Sequence, residues 1–180
     1  MTVNAGPWVT MSGNKLEKDL NKGRVVEAKF RGKNNKYYRS LPQRVRFSEI
    51  DQYGVLWNGH YIQYFESARL ELCEFFKFNL GSLANAGIAL PIHNIEIEIK
   101  APIQRDDTFH IYVRPKRFES GMIDFFHFIK SEDGKLLATS KVRHILYDME
   151  KNEIIKVLNA KTKEVIYPML KEFLSEKEIN

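Results

Sequence analysis

From about residue 43 onward the apolar positions follow two clear rhythms. Between Asn58 and Phe78, Tyr61, Phe65, Ala68, Leu72, Phe75 and Phe76 recur at three- and four-residue steps, the period of one helix face. Ile62, Tyr64, Leu70 and Cys73 widen that face beyond a stripe, so other elements are expected to wrap the helix. Asn58 is the expected N-cap, Gly81 the stop, and Ser82 to Ala86 one further short turn. Gln43 to Phe47 alternates as a strand before the helix. After it, Ile95, Ile97 and Ile99 share one face of a strand over Ile92 to Ile99, with Glu96 and Glu98 on the other. Thr108 to Arg114, Met122 to Lys130 and Leu136 to Tyr147 repeat the alternation, the last two joined by a turn at Glu132-Asp133-Gly134.

Four successive strands with short links predict an antiparallel meander. Lys161 to Leu174 adds an amphipathic terminal helix, interrupted at Pro168. The expected fold class is therefore α+β: a curved antiparallel sheet wrapped around one long apolar helix, plus a C-terminal helix. That is the hot-dog arrangement.

Residues 1–40 break both rhythms. They are rich in Asn, Gly and Lys, and offer only a short helix at Asn14 to Leu20 and a strand at Arg24 to Phe30 with a turn at Gly32 to Asn35. A basic, loosely structured extension over 1–40 and a folded domain over 41–180 are expected, with the boundary at Ser40-Leu41-Pro42. The charge follows the same division. Of 28 Lys/Arg and 23 Asp/Glu, residues 1–39 hold nine and three, so the net charge of +5 belongs to the extension. The body has no field for nucleic acid. No apolar run reaches the roughly 18 residues of a membrane span, and no secretory signal opens the chain. The single Cys73 leaves no intrachain disulfide, so a reducing, cytoplasmic location is expected. His93, His110, His127 and His144 fall on separate strands without metal-ligand spacing, and no metal or cofactor is expected.

The segment between the first strand and the long helix carries the chemistry. Asp51 supplies a carboxylate, Gly54 a bend, and Asn58 and Gly59 a helix start whose backbone N–H groups suit a developing oxyanion. An Asp in a loop before a helix is also an ordinary turn residue. The run Phe47-Ser48-Glu49-Ile50-Asp51-Gln52-Tyr53-Gly54-Val55-Leu56-Trp57-Asn58-Gly59-His60-Tyr61, continuing Tyr64-Phe65-Glu66, resembles the signature of hot-dog-fold acyl-CoA thioesterases of the 4-hydroxybenzoyl-CoA thioesterase type. Asp51, Gly54, Asn58, Tyr61 and Glu66 fall on that pattern. Asn94 to Pro102 with Asp106-Asp107-Thr108, and Gly134 to Ala138, are similar to the family's later strands and hairpin, so the resemblance spans roughly residues 43–148. Asp106 replaces the usual Gly of one turn, and Tyr53 is bulkier than its counterpart.

This resemblance implies hydrolysis of an acyl-CoA thioester, with Asp51 as nucleophile or general base and the Asn58 and Gly59 amides facing the thioester oxygen. Gly54, Trp57 and Tyr61 would shape the loop and pocket. His60 is the rival base, and Arg114, Lys116 and Arg117 are candidate contacts for the CoA phosphates. The family builds its sites between protomers, so a homodimer or a dimer of dimers is expected. Phe126 and Phe128, on the opposite face from Ile123 and Phe125, also call for a second covering layer. A non-catalytic hot-dog module that binds acyl groups or an acyl-carrier partner is the alternative.

Overall fold

The computed structural model describes residues 23–30, 33–78 and 80–179. The expected Asn14 to Leu20 helix lies outside them. Strands β1 (Arg24–Phe30), β2 (Lys33–Arg39) and β3 (Gln43–Arg44) lead to a 3-10 turn at Phe47–Glu49 and then to helix α1 (Asn58–Phe75). A short helix α2 (Leu80–Asn85) and a two-residue strand β4 (Ile88–Ala89) precede β5 (Ile92–Ile99), β6 (Thr108–Glu119), β7 (Met122–Ser131) and β8 (Leu136–Ile145). Two short strands, β9 (Tyr147–Asp148) and β10 (Glu153–Ile154), and helix α3 (Ala160–Phe173) complete the order.

The main sheet is antiparallel and runs β1-β2-β6-β7-β8-β5, with β3 beside β6. The meander expectation is thus half met. β6, β7 and β8 follow one another, but β5 pairs with β8 instead of β6, and becomes the outer edge. The reason lies in the connection from β5 to β6. Ile103, fully buried, accepts a hydrogen bond from the Leu56 amide at 2.7 Å, so this segment is held against the loop before α1 and leaves β6 to start elsewhere.

Helix α1 buries Tyr61, Tyr64, Phe65, Ala68, Leu72 and Cys73 against the inward side chains Phe109, Ile111, Ile123, Phe125 and Ile129. Ile62 and Leu70, expected to extend that face, point to solvent. The helix ends at Phe75 because Lys77 takes a left-handed φ of 56°, and Gly81, the expected stop, lies inside α2. Pro168 does not interrupt α3, which runs through it and is capped by the Asn159 side chain on the Thr162 amide.

The expected extension over 1–40 is corrected in its second half. β1 and β2 form a hairpin whose Tyr38 and Arg39 pair with Val113 and Tyr112 of β6, so the sheet begins well before Ser40. Beyond that junction the hairpin covers the outer face of the sheet. Phe30 stacks on Phe128 at 5.3 Å and meets Phe126 edge-on, while Tyr37 lies edge-on to Phe128 at 4.9 Å. The second layer demanded by Phe126 and Phe128 is therefore this chain's own hairpin. Its polar composition hid the fact that Val26, Ala28, Phe30 and Tyr37 share one packed cluster on the outer face, while Val25 and Tyr38 join the main core.

Candidate active site

The loop between the 3-10 turn and α1 is tied shut at its base. The Asp51 amide donates to the Val55 carbonyl at 2.9 Å, the Gly54 amide to the Asp51 carbonyl at 3.1 Å, and the Trp57 amide to the Glu49 carbonyl at 2.9 Å. Leu56 drops into the core and anchors the far side through Ile103. What remains is a tight bend that only Gly54 makes easily, since its φ is +77° and the space around it is open.

Asp51 stands half-buried at the start of this bend. Its Oδ1 accepts the Tyr53 amide at 2.8 Å and, more weakly, the Val55 amide at 3.4 Å, which fixes the carboxylate plane. Its Oδ2 takes no hydrogen bond among the described residues and is available to a substrate or a water. The turn reading and the catalytic reading of Asp51 are therefore compatible, one oxygen for each.

The helix start differs from expectation by one residue. Trp57, in extended backbone geometry, is the N-cap, and Asn58 is already helical with its side chain exposed. No side chain caps the end and no acid sits in the first turn, so the orphan amides of Asn58 and Gly59 and the positive end of the dipole are open. The Trp57 ring folds back over Gly59 so closely that an added Cβ would come within 2.1 Å of it. Gly59 thus lets the indole lie where it does, and any side chain there would push the ring aside. Tyr53, 80 % exposed, and the exposed Trp57 flank the loop as two aromatic side chains in solvent.

The remaining candidates separate. Tyr61 turns into the core at 2 % exposure, where burial raises its phenol pKa, so it supports the helix from beneath. His60 pairs its Nδ1 with Gln63 Oε1 at 2.6 Å and packs edge-on to Trp57. Glu66 is bound in bidentate fashion by Arg69, which is itself buried and also reaches Cys73 Sγ at 3.8 Å. Burial pushes Glu66 upward, but the Arg69 hydrogen bonds and charge outweigh it and hold the carboxyl below its usual range. Burial pushes the Cys73 thiol up to about 11, against the pull of Arg69, so it is no nucleophile. Arg114 donates to the Phe173 carbonyl at 2.6 Å and lies over Tyr37, a structural tie between α3 and the hairpin. Arg117 pairs with Glu119, and Lys116 sits over Phe126.

One contributor escaped the sequence reading. Glu49 Oε2 accepts the Arg46 amide at 2.8 Å and the Tyr64 hydroxyl at 2.7 Å, so it joins the turn before Asp51 to the second turn of α1. Burial first, then the Glu49 carboxylate, raises the Tyr64 pKa and keeps the phenol a donor. A carboxylate two residues before Asp51 was the only available signal, and its partner lies 15 residues away.

Comparison with known proteins fits this geometry. The acyl-acyl carrier protein thioesterase ATL3 of Arabidopsis thaliana is 31 % identical over 98 residues, 54 % of this chain. The chain spans about half of ATL3, since the match covers 52 % of it. The acyl-CoA thioester hydrolase YbgC of Escherichia coli is 24 % identical over 107 residues, 59 % of this chain and 80 % of YbgC. A Staphylococcus aureus protein, SAV2348, solved in complex with CoA, shares the fold with a TM-score of 0.68 at 14 % identity, covering 78 % of this chain and 88 % of that one. The sequence profile of the thioesterase-like superfamily matches residues 45–174, from just before the Asp51 loop to the end of α3. A hot-dog sheet, a central helix with an uncapped start and an Asp loop before it accompany a family match over most of the chain, and this chain belongs to the thioesterase-like superfamily.

Proposed function

We propose that this protein hydrolyses acyl-CoA thioesters to a free acid and CoA, with Asp51 as the catalytic carboxylate. The observation that carries the reading is the division of labour at Asp51: Oδ1 is spent on the loop, and Oδ2 is left open in the loop that leads into an uncapped helix start. In the reaction, water or Oδ2 itself adds to the thioester carbon. The oxygen gains negative charge that the Asn58 and Gly59 amides receive, and the C–S bond breaks to release CoA thiolate. As general base, Asp51 takes the proton of the attacking water; as nucleophile, it forms an anhydride that water then opens. A thiolate leaves without a strong general acid, which suits a site with a single carboxylate.

The names of YbgC and ATL3 support a thioester substrate, carried on CoA in the first and on acyl carrier protein in the second. A substrate panel on both carriers, read by release of free thiol, tests the function, with Asp51→Asn as the control. Absence of thiol release from every member would leave an acyl-binding module instead.

The proposed unit is a homodimer at least. The outer face that first suggested this is covered by the hairpin, but β5 closes the sheet with no strand beyond it among the described residues. Ile92 on β5 is exposed and shares a cleft with the exposed Ile62 of α1, and Ile99 is exposed at the other end of β5, an apolar edge suited to the same edge of a second copy. A monomeric mass by light scattering at micromolar concentration would refute it.

A further inference from the structure

The inward face of the sheet holds polar atoms that the Asp51 loop does not use. On β7 and β8, His127 and Ser140 face each other in register, flanked by the Phe125–Val142 and Ile129–Ala138 pairs. Both are buried, His127 at 1 % exposure. Neither ring nitrogen of His127, nor Ser140 Oγ, nor His144 Nε2 has a hydrogen-bond partner among the described residues. His144 is held only through Nδ1, by the Leu90 carbonyl at 3.1 Å. The Ser140 backbone lies against the His127 ring without hydrogen-bond geometry. Native folds leave few buried polar atoms unpartnered, and a cluster of them on one face calls for an occupant.

The space for that occupant is small and lies further along α1 than the helix start. His127 lines a narrow cleft of about 10 Å³, with Ile62, Phe65 and Glu66 of α1 above it and Ile95 at its side. This admits one group the size of a water, a carbonyl oxygen or a hydroxyl. Glu66 is already satisfied by Arg69, so the open hydrogen-bonding capacity belongs to the sheet. Asn58, Ile62 and Glu66 follow at four-residue steps along one stripe of α1. At the helical rise of 1.5 Å per residue, the cleft lies roughly 6–12 Å along the axis from the helix start. An acyl chain whose thioester sits at the start and which runs down this stripe passes the cleft within its first several carbons. Burial, with His144 and Arg69 close by, pushes the His127 imidazole down to about 3, so at neutral pH it offers one donor and one acceptor nitrogen.

The geometry points to His127 and Ser140 as a specificity pocket for an oxygen on the acyl chain, making hydroxyacyl or oxoacyl thioesters the substrate class. This rests on the thioesterase reading above. An unsubstituted chain leaves the buried atoms unpartnered, whereas an oxygen several bonds from the thioester pairs with them. Discrimination of that kind is asymmetric: a site built to bond an oxygen rejects the analogue lacking it far better than an apolar site rejects an extra methylene.

The test compares kcat/KM for medium-chain acyl-CoA thioesters carrying a hydroxyl or oxo group at successive carbons with that for the unsubstituted chain of equal length. The wild-type ratio should reach about tenfold or more at the best position. It should fall toward one in Ser140→Ala and in His127→Leu. If His127→Leu fails to fold, the wild-type ratio and Ser140→Ala, which removes a single oxygen, still decide. A wild-type ratio of one or less, as expected if the atoms hold only a permanent water, overturns the inference and leaves the thioesterase reading standing. Failure to hydrolyse any acyl-CoA overturns both.

Discussion

Phe128 tests how the two faces of the sheet are covered. By sequence it is an outward side chain of β7, and its truncation would cost little on an open face. In the fold it is fully buried, with Tyr112 stacked on it at 4.5 Å, Phe30 at 5.3 Å and Tyr37 edge-on at 4.9 Å. A buried aromatic ring removes about 150–250 Å² from water, and at about 25 cal/mol per Å² that is about 4–6 kcal/mol. Truncations of buried Phe to Ala cost about 3–5 kcal/mol in practice, because the cavity relaxes only in part. We therefore expect Phe128→Ala to lower the unfolding free energy by about 3–5 kcal/mol, a fall in Tm of roughly 6–20 °C for a chain of this size. Urea denaturation of the wild type, Phe128→Ala, Tyr37→Ala and the double variant measures it. The two single variants should couple by about 0.5–1.5 kcal/mol, the range of an aromatic pair. A Phe128→Ala loss below about 1 kcal/mol, or additive single variants, would show that the hairpin does not lie on this face.

Asp51→Asn should fold with unchanged Tm and lose at least about 10²-fold in turnover, the lower bound for a general base; His60→Ala, whose ring is engaged with Gln63, should lose far less. Near-normal turnover in Asp51→Asn beside an inactive His60→Ala would move the chemistry to His60. Gly59→Ala should displace the Trp57 ring, seen as a change in tryptophan emission, and lower activity with little change in Tm, because the exposed indole moves more readily than backbone. Unaltered emission would contradict the close approach. Stability should decline as pH falls from about 6.5 toward 3. His127 is held neutral with a folded pKa of about 3, so over that range the unfolded chain binds the extra proton, at up to about 1.4 kcal/mol per pH unit. Burial shifts His144 the same way, and the lowered carboxyls of Glu66 and Asp124 add to the loss at the acid end, while Glu71, raised mainly by burial, opposes it. The slope of Tm against pH should flatten in His127→Gln; an unchanged slope would assign the acid sensitivity elsewhere.

The loop that carries the candidate site is local and was therefore legible in the sequence. A carboxylate, a glycine that takes positive φ, and the first amides of a helix lie within nine residues, Asp51 to Gly59, and short-range backbone bonds shape the bend between them, with Ile103 anchoring its far side. The period of the apolar residues likewise marks α1 and the strands, because burial against one neighbouring surface imposes it whatever that surface is. Neighbours far along the chain left no such trace. By residue type Asn58 is the better N-cap, yet the helix begins after Trp57, whose amide is tied to the Glu49 carbonyl. Ile92 to Ile99 has the same alternation whether it pairs with β6 or β8, and the tie between Leu56 and Ile103 decided the matter. The polar hairpin of β1 and β2 reads as an extension because its alternating trio, Val26, Ala28 and Phe30, is short, set among charged and Asn residues, and does not reveal the surface it packs on. Alternation reports that a side chain is covered but not by what, and cover supplied across 100 residues, as Phe30 covers Phe128, exists only once the chain has folded.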